Sequence, residues 1–368
     1  MKRDIILFCC LLLCRLMSAQ DVLSFSFVGD IMPGSIYKGV GQTADAGKTL
    51  FIDATPIFNS VDFALGNLET TLADHGTPRN QGRDYMFLTP THYGEVLKKA
   101  GFDFLSVANN HSYDFGEGGI TSTLRTLKKN NISCSGLKRQ APYELVELKG
   151  VKVAICAFGF NFYCNQINDL KAVKHILDEA SAKADVVIVS FHGGAEGKEY
   201  RNLPTRSETF LGENRGDLRK FAHFCIDNGA DIIYGHGPHV VRAVEVYKNR
   251  IIAYSLGNFC TPYGISVSGI NAYAPILTVD VDGEGRFIGG RIYSLIQHRG
   301  IGPRLDPHLR ALKEIRSLSD DNIANGAMNI TSSGHIVTNT YLPTKNELEE
   351  ESEEYYDEGE IDWTKTGW

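Results

Sequence analysis

The 368-residue sequence contains little cysteine and little tryptophan, eight and two residues respectively. Three of the cysteines lie within the first 14 residues. The other five are an odd number, and none has the spacing of a zinc ribbon or of a redox CxxC pair. We therefore expect buried free thiols, in largely apolar segments, at Cys134, Cys156, Cys164, Cys225 and Cys260.

The sequence also lacks an excess of basic charge. Its formal net charge is −7, and residues 341–368 hold ten acidic residues against two lysines. The rest of the chain is close to neutral, which excludes the basic surface that nucleic-acid binding requires. With 43% hydrophobic and 22% charged residues, the composition also excludes a wholly disordered or fibrous protein.

No apolar run is long enough to predict a membrane-spanning helix. The run from Ile5 to Leu13 follows a basic start, is interrupted by Arg15 and precedes the small residues Ser18 and Ala19. A spanning helix needs about 20 apolar residues, so residues 1–19 are predicted to be a cleaved signal peptide and not an anchor. A lipid anchor at Cys14 is disfavoured, because Leu13 occupies a position where a small residue is expected.

The domain organisation follows from these shifts in composition. Residues 1–19 form the predicted signal, 20–340 one folded domain and 341–368 an acidic, disordered tail. The predicted location is outside the cytoplasm, in a periplasm or at the cell surface.

From residue 24 to about 300, short β-branched or aromatic runs alternate with stretches of helical periodicity, such as HYGEVLKKAG and GGITSTLRTLKKNN, which predict amphipathic helices. Several runs are apolar at consecutive positions, which is typical of strands covered on both faces in a layered α/β protein. Residues 273–297 differ, since two alternating runs flank DGEG and predict a β-hairpin. A closing helix is predicted over 307–324.

Five of the strand-like runs end in polar side chains next to a glycine or another small turn. Ligands bind outside the carboxyl ends of strands in α/β sheets, where loops bring distant residues together. Carboxylates, carboxamides and imidazoles are ligands for Zn²⁺, Mn²⁺, Fe or Mg²⁺. Each residue alone has a simpler explanation as a turn, cap or core residue, but the joint pattern predicts a divalent-metal site of Asp30, Glu69, Asn110, His192, His236 and His239.

These strand ends resemble the CapA family of capsule and poly-γ-glutamate synthesis proteins, within the calcineurin-like metallophosphoesterase superfamily. The segments that carry the resemblance are VGDIM, FALGNLET, SVANNHSYDFGEGGI, VSFHGG, ADIIYGHGPHV and IIAYSLGNF. The resemblance implies a four-layer α/β/β/α sandwich with a two-metal site. It makes Asn110 a metal ligand and His111 the residue that contacts substrate.

Two positions depart from the pattern that the resemblance implies. Met32 stands where phosphoesterases have a histidine, and a thioether is a poor ligand for a hard metal. Gly193 stands where many CapA-like chains have tryptophan. The site is therefore expected to hold two metals, one metal, or a metal of altered preference.

Two functions remain open at this point. The first is a metal-dependent hydrolase of a phosphoester or of an amide in an anionic polymer. In it, His111 would stabilise charge or protonate the leaving group, Asp114 would orient His111 or cap a helix, and Glu196, Tyr200 and Arg206 would line the substrate cleft. The second is a non-catalytic accessory protein that binds the polymer or a membrane synthase.

Overall fold

The structure is a computed structural model, and it describes residues 22–80, 82, 85–323 and 326–338. The predicted signal peptide and acidic tail lie outside these residues. The helices are α1 (Thr55–Phe58), α2 (Tyr93–Ala100), α3 (Gly116–Lys129), α4 (Leu170–Ser181), α5 (Leu218–Asp227) and α6 (Arg310–Asn322). Within the described ranges, no helix combines the length and the apolar character needed to cross a membrane.

The strands are short and follow the apolar runs of the sequence. They are β1 (Leu23–Ile31), β2 (Phe63–Leu68), β3 (Thr71–Leu72), β4 (Leu88–Thr89), β5 (Phe104–Ser106), β6 (Ser133–Ser135), β7 (Tyr143–Leu148), β8 (Val151–Gly159), β9 (Val186–His192), β10 (Glu208–Phe210), β11 (Glu213–Gly216), β12 (Ile232–His236), β13 (Val244–Tyr247), β14 (Arg250–Ala253), β15 (Asn258–Cys260), β16 (Ile276–Val281), β17 (Phe287–Tyr293), β18 (Leu295–His298), β19 (Gly302–Leu305), β20 (Met328–Ile330) and β21 (His335–Thr338).

Two large sheets carry the fold. The first has the order β20-β21-β17-β16-β1-β2-β5-β6, with β15 also paired to β1, and the second has the order β13-β14-β12-β9-β8-β7. In the first sheet β15, β1, β2, β5 and β6 run parallel, and in the second β8, β9, β12 and β14 do. The predicted hairpin is confirmed as the antiparallel pair β16–β17.

The two sheets face each other across a shared apolar core. The ring of Phe27 in β1 lies 4.9 Å from that of Tyr234 in β12, and the Tyr234 hydroxyl donates to the Gly66 carbonyl. Residues of α4 and α5 belong to the same core and cover the second sheet. A separate core joins α1, α2 and α3 to the other face of the first sheet. The predicted four-layer α/β/β/α architecture is thereby confirmed.

The predicted helices agree closely with the observed ones. The HYGEVLKKAG and GGITSTLRTLKKNN segments form α2 and α3, and α6 lies inside the predicted closing segment. The five cysteines of the folded part are free thiols, as expected. Four of them are buried, and Cys134 is half-buried.

Candidate metal centre

The predicted ligands lie where the carboxyl ends of parallel strands from both sheets meet. Asp30 near the end of β1 is in register with Asn67 of β2 and with Asn258 of β15. His192, the last residue of β9, is in register with His236, the last residue of β12. Parallel pairing therefore brings residues from distant parts of the sequence to one edge of each sheet.

A tight turn after β12 closes the gap between the sheets. The Gly237 amide donates to Asp30 Oδ2 at 3.3 Å, and His239 Nδ1 lies 3.2 Å from the same oxygen. Gly237 has φ +111°, and an added Cβ would lie 3.0 Å from the Gly193 carbonyl, so only glycine fits. His239 itself has φ +59°, a conformation that is uncommon for a non-glycine residue and that clusters at functional sites.

The first of two possible ligand groups consists of Asp30, His192 and His236, all fully buried, and we call it the imidazole-rich half. Asp30 Oδ1 lies 3.5 Å from His236 Nδ1 and 3.8 Å from His192 Nδ1, and the two Nδ1 atoms are 2.9 Å apart. Ser190 Oγ contacts His236 Nε2 at 2.9 Å. That contact fixes the ring so that its Nδ1 faces the carboxylate, as outer partners of metal-bound histidines do.

The second group consists of Asp30, Glu69 and His239, and we call it the carboxylate-rich half. His239 Nε2 lies 3.7 Å from Glu69 Oε1. The opposite ring nitrogen, Nδ1, lies 2.9 Å from Asn258 Oδ1, which orients the imidazole. Asp30 belongs to both groups, so its carboxylate is shared by the two sets of possible ligands.

Several polar atoms of the centre are buried without a partner among the described residues. They are both carboxylate oxygens of Glu69, Nε2 of His192 and Oδ1 of Asn110. An unsatisfied buried donor or acceptor costs about 1–3 kcal/mol, and more when it is charged. His192 Nε2 and Glu69 Oε1 lie 3.8 Å apart, so a divalent cation near both would satisfy a nitrogen and an oxygen donor together, and the residues present fit a bound metal.

The protonation of the centre without metal reflects burial and crowded charge. Burial alone would raise the pKa of Asp30, but the hydrogen bond from His239 and the nearby imidazoles hold it below its usual range. Burial, together with the charge of Asp30, raises the pKa of Glu69 well above its ordinary value.

The three imidazoles differ for the same reasons. Burial lowers the pKa of His192 and brings that of His236 to about 4. Burial opposes the charged form of His239 as well, yet the charge of Glu69 and the bond to Asp30 raise its pKa to about 10. Without metal, a proton on His239 therefore balances the charge of Asp30, whose pKa is held low.

His111 and Asp114 form a pair on the loop between β5 and α3. His111 Nδ1 contacts Asp114 Oδ2 at 2.8 Å, and that oxygen also accepts from the Phe87 amide. The cap position of α3 is Phe115, without a side-chain cap bond, so Asp114 holds His111 and does not cap the helix. Asn110 lies next to this pair; its role as a ligand stays a prediction, as does the contact of His111 with substrate.

The predicted substrate residues separate in space. Glu196 is 24% exposed, and its Oε2 lies 3.8 Å from His239 Nε2. Tyr200 is 41% exposed, and its ring packs edge-on against Phe210. Arg206 is exposed at the surface. Only Glu196 of the three has a described contact with the centre, and substrate binding by all three remains a prediction.

Sequence reasoning overlooked residues that hold the centre together. Asn67 donates to Asp30 Oδ1 at 2.8 Å, and Asn109 donates to Asn67 Oδ1 at 2.9 Å. Asn258 follows a strand in the same way as the predicted ligands, so the same strand-end pattern could have indicated it. Arg215 is fully buried beside Glu196, and because it lies within the β10–β11 hairpin no strand-end signal marks it.

Comparison with known proteins decides the family. Residues 24–263 match the family described as bacterial capsule synthesis protein PGA_cap. This chain belongs to that family. It is 34% identical over 263 residues to the PGA biosynthesis protein CapA of Bacillus subtilis (67% of this chain, 65% of the relative), and 29% identical over 265 residues to the capsule biosynthesis protein CapA of Bacillus anthracis (67% and 61%). The matched region thus spans slightly less than two thirds of either relative.

A solved structure with a similar fold is the 5′-nucleotidase precursor of Thermus thermophilus. It has a TM-score of 0.45 and 12% identity, and the similarity covers 82% of this chain and 59% of that one.

The two departures noted in the sequence of this PGA_cap member have packing explanations. Met32 is fully buried, and its methyl group lies against Gly264, beside Phe87. Gly193 is enclosed, since an added Cβ would lie 2.8 Å from the Arg215 carbonyl. A tryptophan at position 193 would therefore require the β10–β11 hairpin to move.

Proposed function

We propose that this PGA_cap protein is an exported, divalent-metal-dependent hydrolase of a phosphoester or an anionic polymer. The observation that carries the proposal is the pair of ligand groups sharing Asp30, with the unpartnered atoms of Glu69 and His192 buried between them. A chain gains no stability from leaving such groups unsatisfied, so a bound ligand is the physical reason for their presence.

When bound at this centre, a divalent cation would lower the pKa of coordinated water toward about 7 and would polarise the bond to be cleaved. The residues that would hold the cation are Asp30, Glu69, His192, His236 and His239. His111, oriented by Asp114, donates a proton to the leaving group or stabilises its charge.

The test is hydrolysis of p-nitrophenyl phosphate, bis-p-nitrophenyl phosphate and poly-γ-glutamate by purified protein, with and without chelator. We expect turnover of at least one substrate to be lost on chelation, to return with Mn²⁺ or Zn²⁺, and to be absent in His192→Ala. The matched control is His175→Ala, a histidine on the exposed face of α4. Undiminished turnover in metal-free protein contradicts the proposal.

A second candidate is a non-catalytic role in polymer assembly, through binding the polymer or a membrane synthase. It is favoured by the printed names of the two Bacillus relatives, which both describe biosynthesis. Deletion of the gene, complemented by wild type or by Asp30→Asn, separates the two roles. The accessory role is supported if the deletion strain lacks polymer and Asp30→Asn restores polymer production. The purified protein should in that case hydrolyse none of the substrates.

A further inference from the structure

The two halves of the centre differ in donor chemistry although they share Asp30. The imidazole-rich half offers two ring nitrogens and one carboxylate, whereas the carboxylate-rich half offers two carboxylates and one ring nitrogen. Imidazole suits Zn²⁺, and carboxylate suits harder cations such as Mn²⁺ and Mg²⁺. The halves are therefore not equivalent, even before other residues are considered.

Arg215 is a buried cation with a fixed orientation next to this centre. Its guanidinium lies 4.0 Å from the ring centroid of Phe160. Nη1 donates to Glu196 Oε1 at 2.8 Å, and Nη2 forms an ion pair with Glu213 Oε2 at 2.9 Å. A planar guanidinium that is bound through both terminal nitrogens and stacked on a ring limits the positions that its carboxylate partners can adopt.

Of the two carboxylates that Arg215 binds, that of Glu196 faces the carboxylate-rich half. Glu196 uses Oε1 for Arg215, and its other oxygen, Oε2, lies 3.8 Å from His239 Nε2. The same nitrogen lies 3.7 Å from Glu69 Oε1. Glu196 thus adds a third carboxylate beside the carboxylate-rich half, while its described contacts do not extend to His192 or His236.

We propose that Glu196, held in place by Arg215, is part of the carboxylate-rich half and sets its affinity for a hard divalent cation such as Mn²⁺. This is a different role from the substrate contact expected of Glu196, and Arg215 acts in it as a positioning residue. The inference rests on metal binding at the proposed active site, but it does not depend on which reaction occurs there.

The test is calorimetric titration of the metal-free full-length protein with ZnCl₂ and, separately, with MnCl₂, and the bound metal is then counted by elemental analysis. In Glu196→Gln we expect Mn²⁺ affinity to fall by about tenfold or more, the range seen when outer partners of a metal site are lost, and Zn²⁺ affinity to stay within about twofold. Arg215→Met should weaken Mn²⁺ binding in the same direction. Circular dichroism checks that each variant is folded.

Glu199→Gln is the matched control, because it removes the same charge three residues away on the exposed loop. We expect it to bind both cations like wild type. Equal weakening of Zn²⁺ and Mn²⁺ in Glu196→Gln, or no weakening of either, overturns the inference. If Arg215→Met does not fold, Glu196→Gln alone decides. A selective loss of Mn²⁺ in a protein without hydrolytic activity upholds the inference and contradicts only the proposed reaction.

Discussion

The two edges of the sheets use polar residues in opposite ways. At the amino-terminal edge, an aspartate directly precedes each of four strands, β2, β5, β9 and β12. The carboxylate of each aspartate accepts a hydrogen bond from a backbone amide of the neighbouring strand. The pairs are Asp62 with Ser24, Asp103 with Ala64, Asp185 with Lys152, and Asp231 with Val187. In each pair the aspartate amide donates in return to the carbonyl of the same partner residue.

At the carboxyl-terminal edge, by contrast, buried polar groups are left without hydrogen-bond partners from the described part of the chain. Both oxygens of Glu69 and Nε2 of His192 are buried and have no hydrogen-bond partner in the described part of the chain. An aspartate that accepts a hydrogen bond from the amide of a neighbouring strand stabilises the sheet. A buried acid without a hydrogen-bond partner has no such role in the fold, and a bound ligand would satisfy it. The contrast therefore distinguishes residues kept for the fold from residues kept for binding.

The largest expected effect concerns Asp30, which belongs to both halves of the centre. A ligand present at 1,000 times its Kd stabilises a protein by about 4 kcal/mol. Asp30→Asn should abolish that gain, because neither half keeps its shared carboxylate. Thermal unfolding with and without MnCl₂ measures the difference. A variant that is stabilised by Mn²⁺ as much as wild type would remove Asp30 from the centre.

The second expected effect concerns Asp231, a buried acid at the opposite end of the strand that carries His236. Burial raises its pKa to about 6, despite the amide of Val187 and the guanidinium of Arg250. The folded protein then binds more protons than the unfolded one between about pH 4 and pH 6, so this group's contribution to stability falls as pH rises through that window. The fall amounts to at most about 3 kcal/mol.

Asp231→Asn should flatten the pH dependence across that window and leave metal binding unchanged. Urea unfolding at several pH values compares the variant with wild type. An identical pH slope in the two proteins would contradict the role given to Asp231.

A third, smaller effect is expected at Asp62, which holds the start of β1 through the amide and hydroxyl of Ser24 and is paired with Lys149. Asp62→Ala should lower the free energy of unfolding by about 1–2 kcal/mol, since the Ser24 amide loses its acceptor. Mn²⁺ should stabilise this variant as much as wild type. A loss of metal binding here would break the distinction between the edges.

The smallest effect, and one of opposite sign, is expected for Glu69 in metal-free protein. Glu69→Gln removes a buried carboxylate that has no hydrogen-bond partner among the described residues and lies 3.7 Å from His239 Nε2, so the metal-free variant should be as stable as wild type or more stable by about 1 kcal/mol. Metal affinity should fall in the same variant. Destabilisation of metal-free protein by more than about 2 kcal/mol would show that Glu69 serves the fold.

The sequence indicated which residues gather at this edge better than it indicated which residues support them. The ligands follow strands, and a strand end next to a glycine is a local pattern that can be recognised without a structure. The resemblance, and not the periodicity, indicated that these ends come from two sheets. Which strands pair across the sandwich is set by tertiary packing, such as that of Phe27 on Tyr234, and leaves no short-range signal.

Arg215 and Asn67 are two supporting residues that the sequence did not indicate. Each acts on a residue far away in the sequence, Asn67 on Asp30 and Arg215 on Glu196. Asn67 lies within the FALGNLET segment, where Glu69 was the predicted ligand, and Arg215 has no distinctive neighbourhood of its own. Likewise, the four edge aspartates lie at the start of apolar runs without a local signal of their role, because their partner amides belong to other strands.

The most direct measurement is anomalous diffraction from a crystal of this protein soaked in MnCl₂. We expect the stronger manganese peak among Asp30, Glu69 and His239, and a weaker one among Asp30, His192 and His236. A map with no anomalous peak within reach of the Asp30 carboxylate would contradict the conclusion that the buried groups at this edge bind divalent cations.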